Sequence, residues 1–122
     1  MTREQRDAVP NQPAMTGYGP EPTRSELDHL RGPVLLEFGA DGCGYCQNLA
    51  PRLAAMLKNF PQVRHIKVAD GRGQPLGRSF RVKLWPTLVF LRDGQAVLQV
   101  SRPDMGQVQA GLDAIVAERS AE

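Results

Sequence analysis

The chain has 122 residues, the size of a single domain that can bury an apolar core without disulfides or metals. With 41% apolar and 23% charged residues it is ordinary for a globular protein, and no apolar run approaches the roughly 20 residues that span a bilayer. The formal charge of +2 is too small to indicate nucleic-acid binding, and aromatic residues are not interleaved with basic ones for base stacking. Composition therefore predicts neither a membrane protein nor a nucleic-acid-binding protein.

The first 22 residues contain four prolines and few large apolar side chains. Such a segment cannot bury enough surface to offset its ordering entropy. Residues 1–22 are therefore predicted to form a flexible or loosely docked arm, with Met15 and Tyr18 available for docking, and residues 23–122 to form the domain. The N-terminus lacks the apolar run of a secretory signal, so the sequence as it stands favours the cytoplasm, although a signal removed from a longer precursor stays open.

The first half of the domain predicts a helix, a strand and a second helix. Thr23-x-x-Glu26 is a capping-box pattern that predicts a short helix, and the apolar run 34–38 predicts a buried strand. After Cys46, apolar side chains recur at spacings of three or four, which indicates an amphipathic helix. These side chains are Leu49, Leu53, Met56, Leu57 and Phe60. Pro51 falls inside this helix and is expected to kink it.

The second half predicts a strand, a short helix, a β-hairpin and a final helix. The ranges are strand 63–69, helix 75–80 and strand 87–91. Asp93-Gly94 is a strong hairpin signal, and Asp104-x-x-Gln107 is a capping pattern that opens the last helix. A strand–helix–strand crossover followed by a hairpin predicts an α/β protein, with a mixed central sheet flanked by helices on both faces.

The two cysteines, Cys43 and Cys46, stand where the predicted strand is followed by the predicted helix. Their spacing places both sulfurs within one helical turn, close enough to form or release a disulfide. A thiol at a helix start also feels unpaired N–H groups and the positive end of the helix dipole, which favour the reactive thiolate. The pair therefore predicts a thiol–disulfide exchange site.

A Cys-x-x-Cys pair can also form half of a zinc site. Zinc takes four ligands, and the remaining nitrogen donors, His29 and His65, are not at ligand spacing from each other or from the cysteines. No metal and no cofactor are therefore expected, and both histidines are predicted to be surface or half-buried residues without a catalytic role. Two unlinked structural thiols are a weaker alternative, because both cysteines flank Gly44-Tyr45 in a loop.

Glu37 is the acidic residue inside the apolar strand run. A thiolate at Cys43 would attack a substrate disulfide, and Cys46 would then displace the reduced substrate from the mixed disulfide. Since Cys46 must lose its proton in a poorly solvated place, Glu37 is the candidate base. The alternative is that Glu37 points to solvent on a strand edge.

Four motifs together resemble a thioredoxin. They are the run 36–46, the proline at 51, the run 85–87 and the turn 93–94. The resemblance covers residues 25–118 and implies the thioredoxin fold. It implies that Cys43 is the exposed nucleophile and Cys46 the buried resolving thiol, and it places Glu37 where the family usually has a buried aspartate.

The resemblance also implies a substrate groove. Pro86 would be a cis-proline that faces the disulfide and lets an extended substrate chain pair with the backbone beside it. Trp85 is either a core aromatic or part of the groove, and Gly44, Tyr45 and Thr87 complete the predicted substrate-binding set. The Cys-Gly-Tyr-Cys site departs from the usual Cys-Gly-Pro-Cys of thioredoxins and resembles the dipeptide of periplasmic disulfide isomerases.

The sequence thus predicts a monomeric thiol–disulfide oxidoreductase that reduces protein disulfides in the cytoplasm. Its expected partners are disulfide-containing protein substrates and a reductase or other thiol electron donor. One alternative, favoured by Tyr45, is a disulfide isomerase or oxidant in an oxidising compartment. Another is a non-catalytic thioredoxin-like binding or chaperone module, which the intact cysteine pair and Pro86 disfavour.

Overall fold

A computed structural model describes residues 18–117 of the chain and places four helices and four strands within that range, in the predicted order. The elements are α1 (Arg24–His29), β1 (Pro33–Gly39), α2 (Gly44–Leu57), β2 (Arg64–Ala69), α3 (Pro75–Ser79), β3 (Thr87–Arg92), β4 (Gln95–Ser101) and α4 (Met105–Val116). Residues 1–17, which include Met15 and most of the predicted arm, lie outside the described part, as do residues 118–122.

The four strands form one mixed sheet in the order β2-β1-β3-β4. Strand β1 pairs with β2 in parallel and with β3 in antiparallel fashion, and β3 pairs with β4 through the hairpin. The central strand β1 is buried on both faces, so its sequence is an apolar run, interrupted by Glu37, rather than an alternation. The predicted mixed sheet is confirmed.

Helices cover both faces of the sheet, as predicted, and divide the core into two layers. Alternate residues of β1 point to opposite faces: Leu36 packs with α1 and α3, while Leu35 packs with α2 and α4. The first layer consists of Leu27, Val34, Leu36, Phe38, Val68, Leu76, Phe80, Val89 and Leu91. The second consists of Leu35, Leu49, Leu53, Phe60, Leu88, Phe90, Val108, Leu112 and Ile115.

Local signals at the element ends are also confirmed. Thr23 caps α1 and Asp104 caps α4, each through a reciprocal capping box that satisfies two backbone N–H groups. The hairpin turns at Asp93 (φ 51°) and Gly94 (φ 82°), the left-handed backbone that tight hairpins require. Helix α2 continues through Pro51 and ends at Leu57.

The described residues that precede the predicted boundary at residue 23 contact the domain. Gly19 N–H donates to the Lys67 carbonyl on edge strand β2 (3.4 Å), and Glu21 accepts a hydrogen bond from Leu76 N–H at the start of α3 (2.9 Å). Tyr18 is half-buried against the domain. Residues 18–22, predicted as part of a loosely attached arm, therefore contact both β2 and α3, because their polar backbone and side-chain groups find partners there.

Candidate active site

Cys43 lies at the end of a tight turn that leads from β1 into α2. The turn is closed by Cys43 N–H donating to the Ala40 carbonyl (3.3 Å), and Gly42 adopts φ 78°, a conformation that favours glycine. Cys43 is the N-cap of α2, and its sulfur accepts a hydrogen bond from Cys46 N–H (3.1 Å). The half-exposed sulfur is therefore held against the positive end of the helix, where a thiolate is stabilised.

Cys46 has the opposite environment. It is a free thiol like Cys43, but it is buried, with only 7% of its surface exposed. Burial raises the pKa of the Cys46 thiol to about 11, and its hydrogen-bonding interaction with Cys43 adds to the increase, while a backbone interaction at Ala40 acts in the other direction. The two thiols thus differ in access, and burial favours the protonated form of Cys46.

Glu37 is buried in central strand β1, with 2% of its surface exposed, so the alternative that it points to solvent on a strand edge is wrong. A hydrogen bond joins its Oε1 to His65 Nε2 on β2 (2.7 Å). The parallel register sets Leu35 beside His65 and Glu37 beside Lys67, so these side chains share the face that α2 covers. His65 is exposed, as predicted, and its ring contacts Glu37 from the neighbouring strand.

A cavity of about 220 Å³ lies behind the buried thiol. Glu37 and Cys46 both line it, together with Tyr18 and Lys67. The Lys67 ammonium lies 4.9 Å from the centre of the Tyr18 ring, and burial raises the pKa of the Tyr18 phenol well above its usual value, with the negative charge of a Cys46 thiolate adding to the effect. Glu37 is therefore brought into one cavity with the thiol that must lose a proton.

Gly39 makes room for this arrangement. A Cβ atom at Gly39 would lie 2.5 Å from the Tyr18 hydroxyl and 2.9 Å from the Cys46 sulfur, distances that real Cβ contacts do not reach. The phenol and the thiol therefore meet over the bare backbone of β1. The sequence indicated Tyr18 only as a side chain available for docking. Its proximity to Cys46 could not be predicted, because Cys46 lies 28 positions later in another element.

The loop before β3 contains Trp85 and Pro86. The Trp85–Pro86 peptide is cis, and Trp85 is half-buried, with its indole N–H donating to Asp70 Oδ2 (2.8 Å). Thr87 is fully buried, and its hydroxyl donates to the Leu84 carbonyl (2.6 Å). The Thr87 side chain thus holds the loop internally, which leaves the backbone of Thr87 for the predicted contact with substrate.

A second groove, of about 270 Å³, runs between α2 and this loop. Tyr45 is 59% exposed and lines the groove together with Pro86 and Arg102, while Gly44 is exposed beside it. The Arg102 guanidinium stacks 3.9 Å over the Tyr45 ring, and its Nε–H donates to the Trp85 carbonyl (3.0 Å). Arg102 belongs to no recognisable sequence motif. It reaches the cysteine loop only because the β3–β4 hairpin folds back beside it.

Within residues 18–117, no group of three or more His, Cys, Asp or Glu side chains is arranged to hold a metal ion. The same described residues contain no helix with the length and apolarity needed to cross a membrane. His29 is exposed, and its ring Nδ1 lies 2.7 Å from the Ser25 carbonyl of its own helix.

Comparison with known proteins agrees with this geometry. The family model for thioredoxin matches residues 21–116, and the chain belongs to the thioredoxin family. A solved structure of thioredoxin 2 from Pseudomonas aeruginosa PAO1 in its reduced form is similar, with a TM-score of 0.73 and 50% identity, and the match covers 84% of this chain and 97% of that chain. The thioredoxin fold is therefore confirmed.

Two further relatives show how far the likeness extends. Thioredoxin-2 from Pyricularia oryzae is 30% identical over 81 residues, which are 66% of this chain and 47% of that protein, so the match spans about half of the fungal relative. Protein disulfide-isomerase A2 from Pongo abelii is 45% identical over 65 residues, which are 50% of this chain and 12% of that protein. The isomerase match therefore corresponds to a small part of a much longer protein.

Proposed function

We propose that the chain is a thiol–disulfide oxidoreductase that reduces disulfides in protein substrates with the Cys43/Cys46 pair. The observation that carries the proposal is the asymmetry of the two thiols: Cys43 is half-exposed at a helix N-terminus, while Cys46 is buried with a pKa raised to about 11. The first suits a nucleophile and the second a thiol that reacts only from within the protein. Family membership supports the same reaction.

The reaction consists of two exchanges. The Cys43 thiolate attacks one sulfur of the substrate disulfide, so that a mixed disulfide forms and one substrate thiolate leaves. Cys46 then loses its proton and attacks the Cys43 sulfur, which forms the Cys43–Cys46 disulfide and releases the second substrate thiolate. Two electrons pass to the substrate, and its two thiolates take up protons. A reductase or another thiol donor returns the pair to the dithiol state.

The proton of Cys46 goes to Glu37 in this proposal. Glu37 is buried, lines the same cavity as Cys46 and is anchored by its hydrogen bond to His65. An acceptor in that position matters because the pKa of Cys46 is well above neutral and few solvent molecules reach the thiol. Glu37 would return the proton to solvent through the cavity.

Substrates dock in the groove beside the nucleophile. Pro86 and Tyr45 line that groove, Gly44 is exposed next to Cys43, and the Trp85 loop forms its wall through the contact with Arg102. An extended substrate chain laid along the Pro86 loop would bring its disulfide to Cys43, in the manner of strand addition. The Thr87 side chain takes no part.

The direction of the reaction distinguishes the two enzyme candidates. Reduction in the cytoplasm by a monomer is the first, and membership of the thioredoxin family supports the disulfide exchange in it. Isomerisation or oxidation in an oxidising compartment is the second, and the similarity to a segment of a protein disulfide isomerase favours it. Potentials of proteins with this chemistry span about −270 to −120 mV, so equilibration with glutathione decides between them. A value near the reducing end supports the first.

A trapping experiment tests the oxidoreductase proposal itself. Cys46→Ser keeps the nucleophile and removes the resolving thiol, so substrates should remain attached through Cys43 and run as high-mass bands on a non-reducing gel. Cys43→Ser is the matched control and should trap nothing, because Cys46 is buried. Bands confined to Cys46→Ser and lost with reductant are expected. Equal, reductant-insensitive capture by both variants would instead indicate a binding module.

A further inference from the structure

The groove beside the nucleophile contains two guanidinium groups that have no carboxylate partner among the described residues. Arg52 from α2 and Arg102 from the end of β4 both line it, along with Tyr45 and Pro86. Among residues 18–117, the ion pairs join other groups, and neither Arg52 nor Arg102 takes part in one. The groove is therefore positively charged where a substrate would lie.

Arg102 is held in place over the cysteine loop. Its backbone N–H donates to the Pro86 carbonyl (2.7 Å), its Nε–H donates to the Trp85 carbonyl (3.0 Å), and its guanidinium stacks on Tyr45. These contacts use the backbone and one side of the side chain, and within the described residues the terminal Nη groups have no hydrogen-bond acceptor. A fixed guanidinium with free donors loses little side-chain entropy when it binds an anion.

The backbone of Arg102 is also unusual. Its φ is 48°, in the left-handed region that side-chain-bearing residues rarely adopt because it is strained. An arginine at such a position is a poor choice for stability alone. Strain of this kind is concentrated at functional sites, where the side chain is needed in one direction.

Arg52 supplies the second charge. It lies one helical turn after Asn48 on α2, and its Nη2–H donates to Asn48 Oδ1 (2.7 Å), a neutral acceptor that does not cancel its charge. The acidic residue nearest in sequence to Arg102 is Asp104, whose Oδ1 accepts the Gln107 N–H (2.7 Å) as the cap of α4. The groove thus keeps a net positive charge.

We propose that this groove selects disulfide substrates that have an acidic side chain, Asp or Glu, next to the reacting cysteine. The inference rests on the proposed oxidoreductase function and adds a substrate class to it. A carboxylate in that position would accept hydrogen bonds from the Nη groups of Arg102, with Arg52 adding a second positive charge. The pairing would align the disulfide with Cys43 and speed the encounter.

The test uses three disulfide peptides that differ only in the residue before the reacting cysteine: glutamate, glutamine or lysine. The ratio of kcat/KM for the glutamate and glutamine peptides is expected to be about 3 to 10 at low ionic strength, the range of one partly exposed, charge-assisted contact, and to fall as salt is added. The lysine peptide is expected to be the slowest. The full chain in its dithiol state is the enzyme.

Variants assign the selectivity to the groove. Arg102→Gln should bring the ratio towards 1, Arg52→Gln should lower it in part, and Arg102→Lys should retain part of it because the charge remains. Gln and Lys place the same unbranched Cβ on the backbone as Arg, so the strain at residue 102 is unchanged. Arg31→Gln is the matched control, since Arg31 is exposed and precedes β1 at the end of the strand opposite to the dithiol, and it should keep the full ratio.

The outcomes separate the two proposals. Equal kcat/KM values for the glutamate and glutamine peptides would overturn the substrate class and leave the oxidoreductase function intact. A ratio that persists in both Arg102→Gln and Arg52→Gln would likewise overturn the assignment to this groove. Failure to reduce any of the three peptides would overturn the oxidoreductase function and this inference with it.

Discussion

At the scale of single residues, the site depends on two thiols with different surroundings. Cys43 gains a helix N-terminus and partial exposure from its position at the cap, whereas Cys46 is turned into the protein one helical turn later. The spacing of the cysteines alone predicts the exchange site. The difference in pKa and access between the two thiols comes mainly from the burial of Cys46, which shares a cavity with Ala40, Tyr18 and Glu37.

Alkylation should reveal this difference. At pH 7, Cys43 is expected to react with iodoacetamide at least about tenfold faster than Cys46, because Cys46 is buried and a thiol with a pKa of about 11 is almost wholly protonated at that pH. Since only the thiolate reacts and the raised pKa keeps its fraction small, the rate at Cys46 should keep rising with pH and level off only above about pH 11. Mass spectrometry of each cysteine against pH measures this. Equal rates at pH 7 would contradict the assigned roles.

Substitution of Glu37 should affect only the second exchange. Glu37→Gln keeps the size of the side chain and a hydrogen-bonding partner for His65, but it removes the proton acceptor from the cavity. Release of substrate from the mixed disulfide is expected to slow by about 10²-fold or more, the usual contribution of a general base, while formation of the mixed disulfide is unchanged.

Rapid-quench, single-turnover kinetics distinguish the two steps. His65→Gln is the companion variant, since it disturbs the anchor of Glu37 and leaves the carboxylate in place, and it should slow release less than Glu37→Gln does. Unchanged release in Glu37→Gln would reduce the role of Glu37 to packing.

The site residues that could be predicted are those that local sequence patterns mark. The position of Glu37 inside an apolar run predicted its burial. The position of the cysteine pair at a strand–helix junction predicted an exchange site at the start of a helix. His65 and Arg102 were missed, because each meets the site through strand register or a hairpin, and neither relation is visible in the residues around it.

At the scale of elements, the strongest signals were capping boxes, the hairpin turn and apolar periodicity, and each element they predicted is present. The strand after the hairpin shows what such signals omit. The register of β3 and β4 shifts after Phe90, so that Leu98 faces Phe90 while Ala96 faces Leu91, and Val97 is left 51% exposed. A bulge of this kind adds one residue to one strand and breaks its alternation, which sequence periodicity cannot locate.

Helix α4 packs on the sheet through a glycine, which two matched substitutions can test. A Cβ at Gly111 would lie 2.5 Å from the Phe90 ring, so Gly111→Ala is expected to destabilise the fold by about 1–3 kcal/mol through overpacking. Gly106, in the first turn of the same helix, would place a Cβ 3.3 Å from Asp104 Oδ1, and Gly106→Ala should range from neutral to about 1 kcal/mol stabilising, because alanine favours the helix.

Urea unfolding of both variants measures the difference. The helix propensity gained is similar at both positions, so the contrast isolates the contact between α4 and the sheet. Equal stabilities for Gly111→Ala and Gly106→Ala would mean that α4 can move away from Phe90 without cost.

At the scale of the whole molecule, the site lies at the end of the central strand, between the two layers of the core. Strand β1 delivers the chain to Cys43, β2 brings His65 and Lys67, and the loop before β3 brings Pro86. The family model matches residues 21–116, so Tyr18 lies just before the matched range. Its side chain nevertheless lines the cavity behind Cys46.

Two truncated chains, one starting at residue 18 and one at residue 23, isolate the contribution of this segment. Both keep Thr23 and its capping box, so α1 is intact in each. The shorter chain loses the Glu21 acceptor of Leu76 N–H, the Gly19 bond to β2 and the half-buried Tyr18. Its free energy of unfolding is expected to be about 1 kcal/mol lower, which lowers the melting temperature by about 4–8 °C for a domain of about 100 residues.

Alkylation adds a readout specific to the site. Removal of Tyr18 opens the cavity behind the buried thiol, so Cys46 should react faster with iodoacetamide in the chain that starts at residue 23 than in the one that starts at residue 18, at the same pH. Cys43 is the internal control and should react at the same rate in both chains, because it lies on the exposed side of the loop. Equal melting temperatures and equal Cys46 rates would show that residues 18–22 behave as the loosely attached arm that their composition predicts.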